Sequence, residues 1–314
     1  RSRNGLTSSQ VNCILKDSRG YVWLGTTSGL YRYDGYVFKN FQSDSQDGSS
    51  LPDSYIHSIQ ESLDGNLWVE TSAGYCVYHP QTESFERDMN LAFKRMGIDE
   101  TPAAIHIDNH QNVWAYIPKK KIVCFNTQQQ ISTDFPISDD SNSIPTGNIC
   151  SIGECKDGAI MVYDDGRLIC LDALHQKFIV WTNNDISKKK LRKTSSLKVF
   201  ADQMDNIWLY GHGTLFVLDK KKGTWDTTIG EKLGLTSSSV DNGVTSMAAD
   251  RKGNIWLGTN RHGLVRVNVN THLMEEVEPN IMNSYGNQGK QTRNMQSVYV
   301  DNTDLLWVGT AKSG

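Results

Sequence analysis

Short apolar runs separated by polar turns recur along the whole chain, at intervals of 45 to 51 residues. Each repeat is anchored by one large apolar residue that has an apolar neighbour on both sides. The anchors are Trp23, Trp68, Trp114, Met161, Trp208, Trp256 and Trp307. A fixed period of this length indicates one supersecondary unit repeated seven times.

The first repeat shows what one copy contains. Four strands are predicted, at Val11 to Lys16, Tyr21 to Gly25, Leu30 to Asp34 and Val37 to Phe41. The turn after the first strand begins with Asp17, which can bond its own backbone, and ends with Gly20, which tolerates a positive φ. A helical repeat is excluded because no long apolar period of 3.6 residues is present. Four-stranded repeats of this length are typical of β-propeller blades.

The sequence therefore predicts an all-β fold, a seven-bladed β-propeller of four-stranded antiparallel blades that forms a single domain over residues 1–314. The seventh blade is predicted to be incomplete. The stretch from Trp307 to Thr310 aligns with Trp23 to Thr26 of the first blade, where two more strands follow, whereas the chain ends at Gly314. We expect the chain to be a fragment of a longer protein.

Composition and charge reduce the number of possible functions. Charged residues make up 21% of the chain, the formal net charge is -3 and the mean hydropathy is -0.48. These values are ordinary for a folded water-soluble domain. They argue against nucleic-acid binding, which usually requires a basic face.

Six cysteines invite a disulfide framework, but their placement favours free thiols. Most fall in predicted first and third strands, where a thiol acts as a small buried hydrophobe. A bridge between Cys155 and Cys170 within blade four is the alternative. No cysteine or histidine spacing is typical of zinc, so no metal or cofactor is predicted.

The recurring residues are interpreted as structural. An aspartate six positions before the anchor, as at Asp17, is expected to form a turn, and the anchor tryptophans are expected to pack between blades. The stretches Asp202 to Asn206 and Asp301 to Asp304 bear spaced oxygens. They lack the glycine and the distal glutamate of a calcium loop, so a calcium site is not favoured.

Candidate ligand-binding residues come from loops. The loops that lead into each blade and those that follow each second strand should share one face, and binding residues prefer loops on a rigid scaffold. Planar polar groups and an aromatic surface suit a ligand such as a sugar. We predict a ligand-binding cluster of Arg261, His262, Arg293, His212 and Tyr55.

Several phrases resemble the two-component regulator propeller repeat. They run from Gly5 to Val11, from Asp17 to Thr26, from Gly29 to Asp34, from Asp250 to Thr259 and from Gly263 to Val267. The resemblance covers essentially the whole chain and is weakest in blades three and four, where Gln111 replaces a glycine and Met161 a tryptophan.

In that family the repeats build the periplasmic sensor region of hybrid two-component histidine kinases of glycan-degrading gut bacteria. The resemblance implies a receptor that senses oligosaccharides to control glycan-utilisation genes. It also implies a periplasmic location outside the inner membrane, a homodimer, and further parts of the receptor chain: a second propeller, a β-sandwich and a membrane helix. The kinase part is absent here, so this chain is not expected to be an enzyme.

Two other functions stay open. One is a protein-interaction or dimerisation scaffold without its own small-molecule site. The other is a glycan-active propeller enzyme, which would need two carboxylates at a set separation. The acids on the predicted loops are chiefly Asp53, Asp164, Asp165 and Asp241, and no pair stands out. The sequence identifies neither the glycan nor whether its site lies on this propeller or at a junction with another.

Overall fold

A computed structural model describes residues 6, 10–182, 197–211, 213–235, 242–278 and 293–311. These residues form six four-stranded antiparallel sheets, one two-stranded sheet and two short helices. The architecture is an all-β propeller with an incomplete seventh blade.

In each complete blade the four strands follow one another in chain order. Blade one contains β1 (Val11–Lys16), β2 (Val22–Thr26), β3 (Gly29–Tyr33) and β4 (Phe38–Phe41). Blade two contains β5 (Ile56–Glu61), β6 (Leu67–Thr71), β7 (Gly74–His79) and β8 (Ser84–Glu86), and helix α1 (Asn90–Arg95) follows it. Blade three contains β9 (Ala104–Ile107), β10 (Asn112–Ile117), β11 (Lys121–Asn126) and β12 (Ile131–Pro136).

The remaining blades continue the same pattern. Blade four contains β13 (Ile149–Cys155), β14 (Gly158–Tyr163), β15 (Leu168–Asp172) and β16 (Lys177–Trp181). Blade five contains β17 (Lys198–Ala201), β18 (Ile207–Gly211), β19 (Thr214–Asp219) and β20 (Thr224–Asp226), and helix α2 (Thr228–Lys232) follows it. Blade six contains β21 (Val244–Ala249), β22 (Asn254–Thr259), β23 (Leu264–Asn268) and β24 (Met274–Val277), and blade seven contains β25 (Met295–Val300) and β26 (Leu306–Thr310).

The chain divides into two units. The first consists of Arg1–Glu61, Gly65–Arg87 and Ser239–Gly314, and so carries blades one, two, six and seven. The second consists of Ser62–Asp64 and Asp88–Ser238, and carries blades three, four and five. No helix in the described part of the chain is long and apolar enough to cross a membrane.

The strands predicted for blade one are confirmed to within a residue at each end. The helices α1 and α2 were not predicted. Each is only five or six residues long and buries a single large apolar side chain, Phe93 or Ile229, so no helical period could be recognised.

The recurring aspartate forms a turn and also binds its blade's anchor. Asp17 accepts hydrogen bonds from the backbone N–H groups of Arg19 and Tyr21, and its second oxygen accepts the indole N–H of Trp23 at 2.7 Å. The same indole bond recurs in four more blades, in the pairs Trp114–Asp108, Trp208–Asp202, Trp256–Asp250 and Trp307–Asp301. The oxygens considered for calcium at Asp202 and Asp301 therefore already bind the protein's own N–H groups.

Blade four departs from this pattern, with Cys155 and Met161 in place of the aspartate and the tryptophan. Both residues are buried. All six cysteines are free thiols, as predicted, and the alternative bridge between Cys155 and Cys170 is not formed.

A second recurring contact joins neighbouring blades at the turns between first and second strands. The N–H after the aspartate position donates to a carboxylate of the next blade. The pairs are Ser18 with Glu61, Asn109 with Glu154, Lys156 with Asp205 and Arg251 with Asp304. Asp205 and Asp304 stand where four other blades have glycine and adopt φ values of 61° and 66°. Aspartate is one of the residues that tolerate this region.

Candidate functional site

Within each blade of the first unit, one backbone bond holds the loop after the second strand against the loop that leads into the blade. The N–H groups of Thr27, Ser72, Asn260 and Ala311 donate to the carbonyls of Gln10, Tyr55, Gly243 and Asn294. Each of these bonds lies at the same edge of its sheet, so the two kinds of loop share that edge, as the sequence predicted. We call this edge of the first unit the loop face.

Three of the predicted ligand-binding residues meet on the loop face at the junction of blades six and seven. Arg261 and His262 lie in the turn between β22 and β23, and Arg293 leads into β25. The N–H of Gly263, the next residue in that turn, donates to the backbone carbonyl of Arg293 at 3.0 Å. The side chains of both arginines are exposed. We call Arg261, His262 and Arg293 the arginine junction.

The threonine of the repeated Gly-Thr pair shapes this turn. The Thr259 hydroxyl donates to the carbonyl of Gly263 at 2.8 Å and accepts the N–H of His262 at 2.9 Å. The same hydroxyl bond recurs in blade one, from Thr26 to Gly29. The turn conformation thus comes from the repeat, whereas Arg261 and His262 are side chains that the repeat does not require.

Acidic side chains balance the charge beside the arginine junction. The Nδ1 atom of His262 lies 2.9 Å from Oε1 of Glu276 on β24, and Arg266 forms an ion pair with Glu275 on the same strand. The contact with Glu276 orients the half-buried His262 ring. The junction therefore presents two exposed guanidinium groups and one oriented imidazole, which can donate several planar hydrogen bonds to an oxygen-rich ligand.

Tyr55 belongs to a separate group on blade two. Its ring centroid lies 4.9 Å from that of His57, with a tilt of 41° between the planes, and the His57 Nε2 atom lies 3.0 Å from the Ser72 hydroxyl. The Tyr55 N–H donates to Asp53 at 2.7 Å. The Tyr55 side chain is 38% exposed. We call Tyr55, His57 and Ser72 the aromatic patch. Its polar atoms beside an exposed ring suit a sugar face.

The predicted cluster is thus distributed over two places. Arg261, His262 and Arg293 lie together, whereas the contacts of Tyr55 described above are with other blade-two residues. The remaining candidate, His212, lies outside the described residues. His57 and Ser72 were not among the predicted site residues. Comparison of the repeats could have found them, because they occupy loop positions at which the residue type differs from blade to blade.

Two of the acids considered for an enzyme have local structural roles. The carboxylate of Asp53 accepts the N–H of Tyr55 just before β5, and that of Asp165 accepts the Nε–H of Arg167 at 2.8 Å. Asp241 lies outside the described residues. Among the described ranges, no three His, Cys, Asp or Glu side chains are grouped as a metal site.

Comparisons with known proteins agree on the repeat and on the fold. The "Two component regulator propeller" family matches residues 5–28 and 238–261, so these two segments are similar to repeats of that family. A relative from Formosa agariphila, named "Histidine kinase P4", is 38% identical over 48 residues, which is 15% of this chain and 4% of the relative.

Two solved structures from Bacteroides thetaiotaomicron resemble nearly the whole chain. They are extracellular domains assigned to the hybrid two-component systems BT4673 and BT3049. The BT4673 domain has a TM-score of 0.69 at 20% identity, and the match covers 98% of this chain and 38% of that one. The BT3049 domain has a TM-score of 0.70 at 17% identity, covering 98% and 40%. At these identities the likeness establishes the propeller fold, and the chain spans about two fifths of each solved domain.

Proposed function

We propose that this chain is the extracytoplasmic sensing propeller of a hybrid two-component histidine kinase, located in the periplasm. The observation that carries the proposal is the presence of two-component regulator propeller repeats in blades one and six. The fold likeness to extracellular domains of two such systems supports it. The chain has no kinase role in this proposal, and phosphotransfer belongs to another part of the receptor.

The ligand in this proposal is an oligosaccharide released from a polysaccharide, and its recognition controls glycan-utilisation genes. The arginine junction supplies donors for hydroxyl, carboxylate or ring oxygens, and the aromatic patch supplies a ring face. Either the arginine junction binds the sugar directly, or the loop face relays binding from a neighbouring part of the receptor. A bound ligand changes signalling only if it binds one receptor state more tightly than the other.

A thermal-unfolding screen of this chain against plant and host oligosaccharides tests the proposal. At a ligand concentration of 100 times Kd, binding adds about 2.7 kcal/mol, which should raise the midpoint by roughly 5 °C in a domain of this size. Arg261→Ala and Arg293→Ala should each remove the shift if the ligand binds at the arginine junction. Tyr55→Ala should remove it if the ligand binds at the aromatic patch.

Arg19→Ala is the matched control. Arg19 is an exposed arginine in the turn between β1 and β2, at the opposite edge of its blade from the loop face. This variant should keep the full shift. A shift seen only in a longer receptor piece would favour the relay form of the proposal. No shift in either protein would overturn oligosaccharide sensing and favour a scaffold function.

A further inference from the structure

The outer strand of blade four differs from the outer strands of the other blades. A fourth strand lies at the edge of its sheet, where unpaired backbone groups can bind another strand. Proteins usually protect such edges with charges, with proline or by keeping the strand short. Charges interrupt β4 at Lys39 and β24 at Glu275 and Glu276, and β12 contains Asp134 and ends at Pro136. The strands β8 and β20 are only three residues long.

In β16, by contrast, four consecutive apolar residues follow Lys177, namely Phe178-Ile-Val-Trp181. Within the residues that the structure describes, β16 pairs with β15 and with no other strand. The Ile179 side chain is 58% exposed, and Leu174, in the turn that leads to the strand, is 84% exposed. The last four residues of β16 therefore carry neither a charge nor a proline.

The strand is nevertheless firmly placed in its blade. Phe178 packs against the apolar cluster that contains Met161, and Trp181 packs against the cluster that contains Cys155. With both faces anchored in this way, β16 is a preformed strand at the edge of its sheet. Addition of a strand to such an edge is a common mode of recognition.

We propose that two copies of this chain pair edge to edge through β16. An antiparallel pair with its two-fold axis at Ile179 aligns all five residues of both strands. Ile179 then lies opposite the partner's Ile179, Phe178 opposite the partner's Val180, and Lys177 opposite the partner's Trp181. Aromatic residues pair favourably with β-branched ones across strands, and a lysine beside a tryptophan is also favourable.

The charge pattern of β16 is compatible with a second copy of the chain, which is the occupant that we propose. In the β16 pair no charge faces a like charge, because each Lys177 meets a tryptophan. The same symmetric pairing of β24 would bring Glu275 against the partner's Glu276, and like charges directly opposite one another are destabilising. A symmetric contact of this kind closes at two copies.

The expected association is weak. A five-residue strand pair is much smaller than the interface of about 1,200 to 2,000 Å² that a stable complex buries. We therefore expect a Kd on the order of 100 μM for the isolated chain, given that weak encounters occupy the low end of interface size. In a receptor, a second attachment between the same two copies would raise the effective concentration.

Sedimentation equilibrium of the 314-residue chain tests the pairing. The average mass should rise from 35.2 kDa toward twice that value as the concentration increases. Ile179→Lys places like charges on the two-fold axis and should keep the chain monomeric. Ile131→Lys is the matched control, because Ile131 lies on the outer strand β12 and is 57% exposed. This variant should associate like the unmodified chain.

A charge-swap experiment tests the symmetry. Ile179→Lys and Ile179→Glu should each be monomeric alone, and an equal mixture should associate at least as tightly as the unmodified chain. The proposal is overturned if the unmodified chain stays at 35.2 kDa up to about 500 μM, five times the Kd expected above. It is also overturned if Ile131→Lys weakens association as much as Ile179→Lys does, or if the mixture stays monomeric.

This inference deepens the proposed function by naming the contact between two receptor copies. The Ile179→Lys monomer should still show the oligosaccharide-dependent rise in unfolding temperature, because the arginine junction and the aromatic patch belong to the first unit and β16 to the second. A failed dimer with an intact ligand response would thus overturn the pairing alone.

Discussion

Blades three and four surround their anchor residues, Trp114 and Met161, with two different kinds of contact. In blade three the Asp108 carboxylate accepts four hydrogen bonds, from the N–H of His110, from the N–H and the side chain of Asn112 and from the indole of Trp114. In blade four a thiol and a thioether, Cys155 and Met161, occupy the equivalent positions, so no bond from an indole to a carboxylate can form.

The turn of blade four changes together with this pair. Blade three needs a four-residue loop, Asp108 to Gln111, around its carboxylate, whereas β13 and β14 are joined by Lys156 and Asp157 alone. Gly158 after this loop has a φ of +155°, and a Cβ there would lie 2.2 Å from the backbone oxygen of Leu171 on β15, so the position requires glycine. Both partners and the loop have thus changed together. Replacing only one partner would leave a buried polar group without its bond, which is the costly outcome.

The largest predicted effect comes from removing only the carboxylate of blade three. Asp108→Ala leaves the indole N–H of the fully buried Trp114 and the Asn112 groups without their acceptor. Bonds to a charged group are worth about 1.5 to 3 kcal/mol, so we expect the free energy of unfolding to fall by about 3 kcal/mol or more. Chemical denaturation measures this change.

The exposed aspartate Asp99 provides the control for that experiment. Asp99→Ala should change stability by no more than about 0.5 kcal/mol, as is usual at exposed positions. If Asp108→Ala cost no more than Asp99→Ala, the carboxylate of the repeat would be a surface turn-former only. There would then be no reason to interpret the changes in blade four as compensating for a lost carboxylate.

Much of this pattern could be predicted from the sequence, and the reason is local. The Asp-to-Trp spacing, the turn glycines and the apolar second strands are all set within one repeat, so they recur visibly at a fixed period. The contacts between blades could not be predicted in the same way. Glu61 and Glu154 lie seven positions before their anchors, whereas Asp205 and Asp304 lie three before theirs, yet all four accept the same kind of N–H from the preceding blade.

The candidate site shows the same limit. The sequence placed Arg261, His262 and Arg293 on loops, because these loops depart from the repeat. That they share one junction depends on the bond from Gly263 to Arg293, which joins residues 30 positions apart. The separation of Tyr55 from this junction likewise depends on blade order within the first unit. The pairing edge on β16 was not predicted, because the exposure of Ile179 depends on which strand is outermost.

A double-mutant cycle tests whether the Cys155–Met161 pair of blade four can replace the Asp108–Trp114 pair of blade three. In blade three, Asp108→Cys and Trp114→Met should each destabilise the chain, since each leaves its partner without a hydrogen bond. The combined variant should be more stable than the sum of the two effects predicts, by about 2 kcal/mol, because contacting residues couple by 0.5 to 3 kcal/mol. It should remain less stable than the unmodified chain, because the thiol introduced by Asp108→Cys cannot accept the N–H groups of the four-residue loop as the carboxylate does.

The control for the cycle uses the tryptophan of a different blade. Asp108→Cys combined with Trp208→Met should be additive to within about 0.5 kcal/mol, since Trp208 binds Asp202 and shares no partner with Asp108. Equal coupling in both cycles would mean that the double replacement acts on the whole fold and does not act on the pair.

The smallest predicted effect concerns how the free energy of unfolding depends on pH. The blades that contain the recurring aspartate should contribute to this dependence, whereas Cys155 and Met161 of blade four should not. Burial alone would raise the pKa of Asp301. Hydrogen bonds from the side chain of Thr303, the indole of Trp307 and the N–H of Leu305 outweigh it and hold that pKa well below its usual range. A carboxylate whose pKa is lowered by folding stabilises the chain fully above its unfolded pKa of about 3.9, and this stabilisation is lost as the pH falls toward the folded value.

Asp301→Asn removes this titration. Below about pH 4 the free energy of unfolding should therefore fall less steeply with acidification than in the unmodified chain, by at most about 1.4 kcal/mol per pH unit. Met161→Leu in blade four removes no titrating group and should leave the slope unchanged. Denaturation curves between pH 5 and pH 2, in the range where carboxylates titrate, measure both slopes. Equal slopes for Asp301→Asn and the unmodified chain would show that the blade-seven aspartate has the same pKa in the folded and unfolded states. The blades with an aspartate–tryptophan pair and blade four, with Cys155 and Met161, would then differ in packing and not in their response to acid.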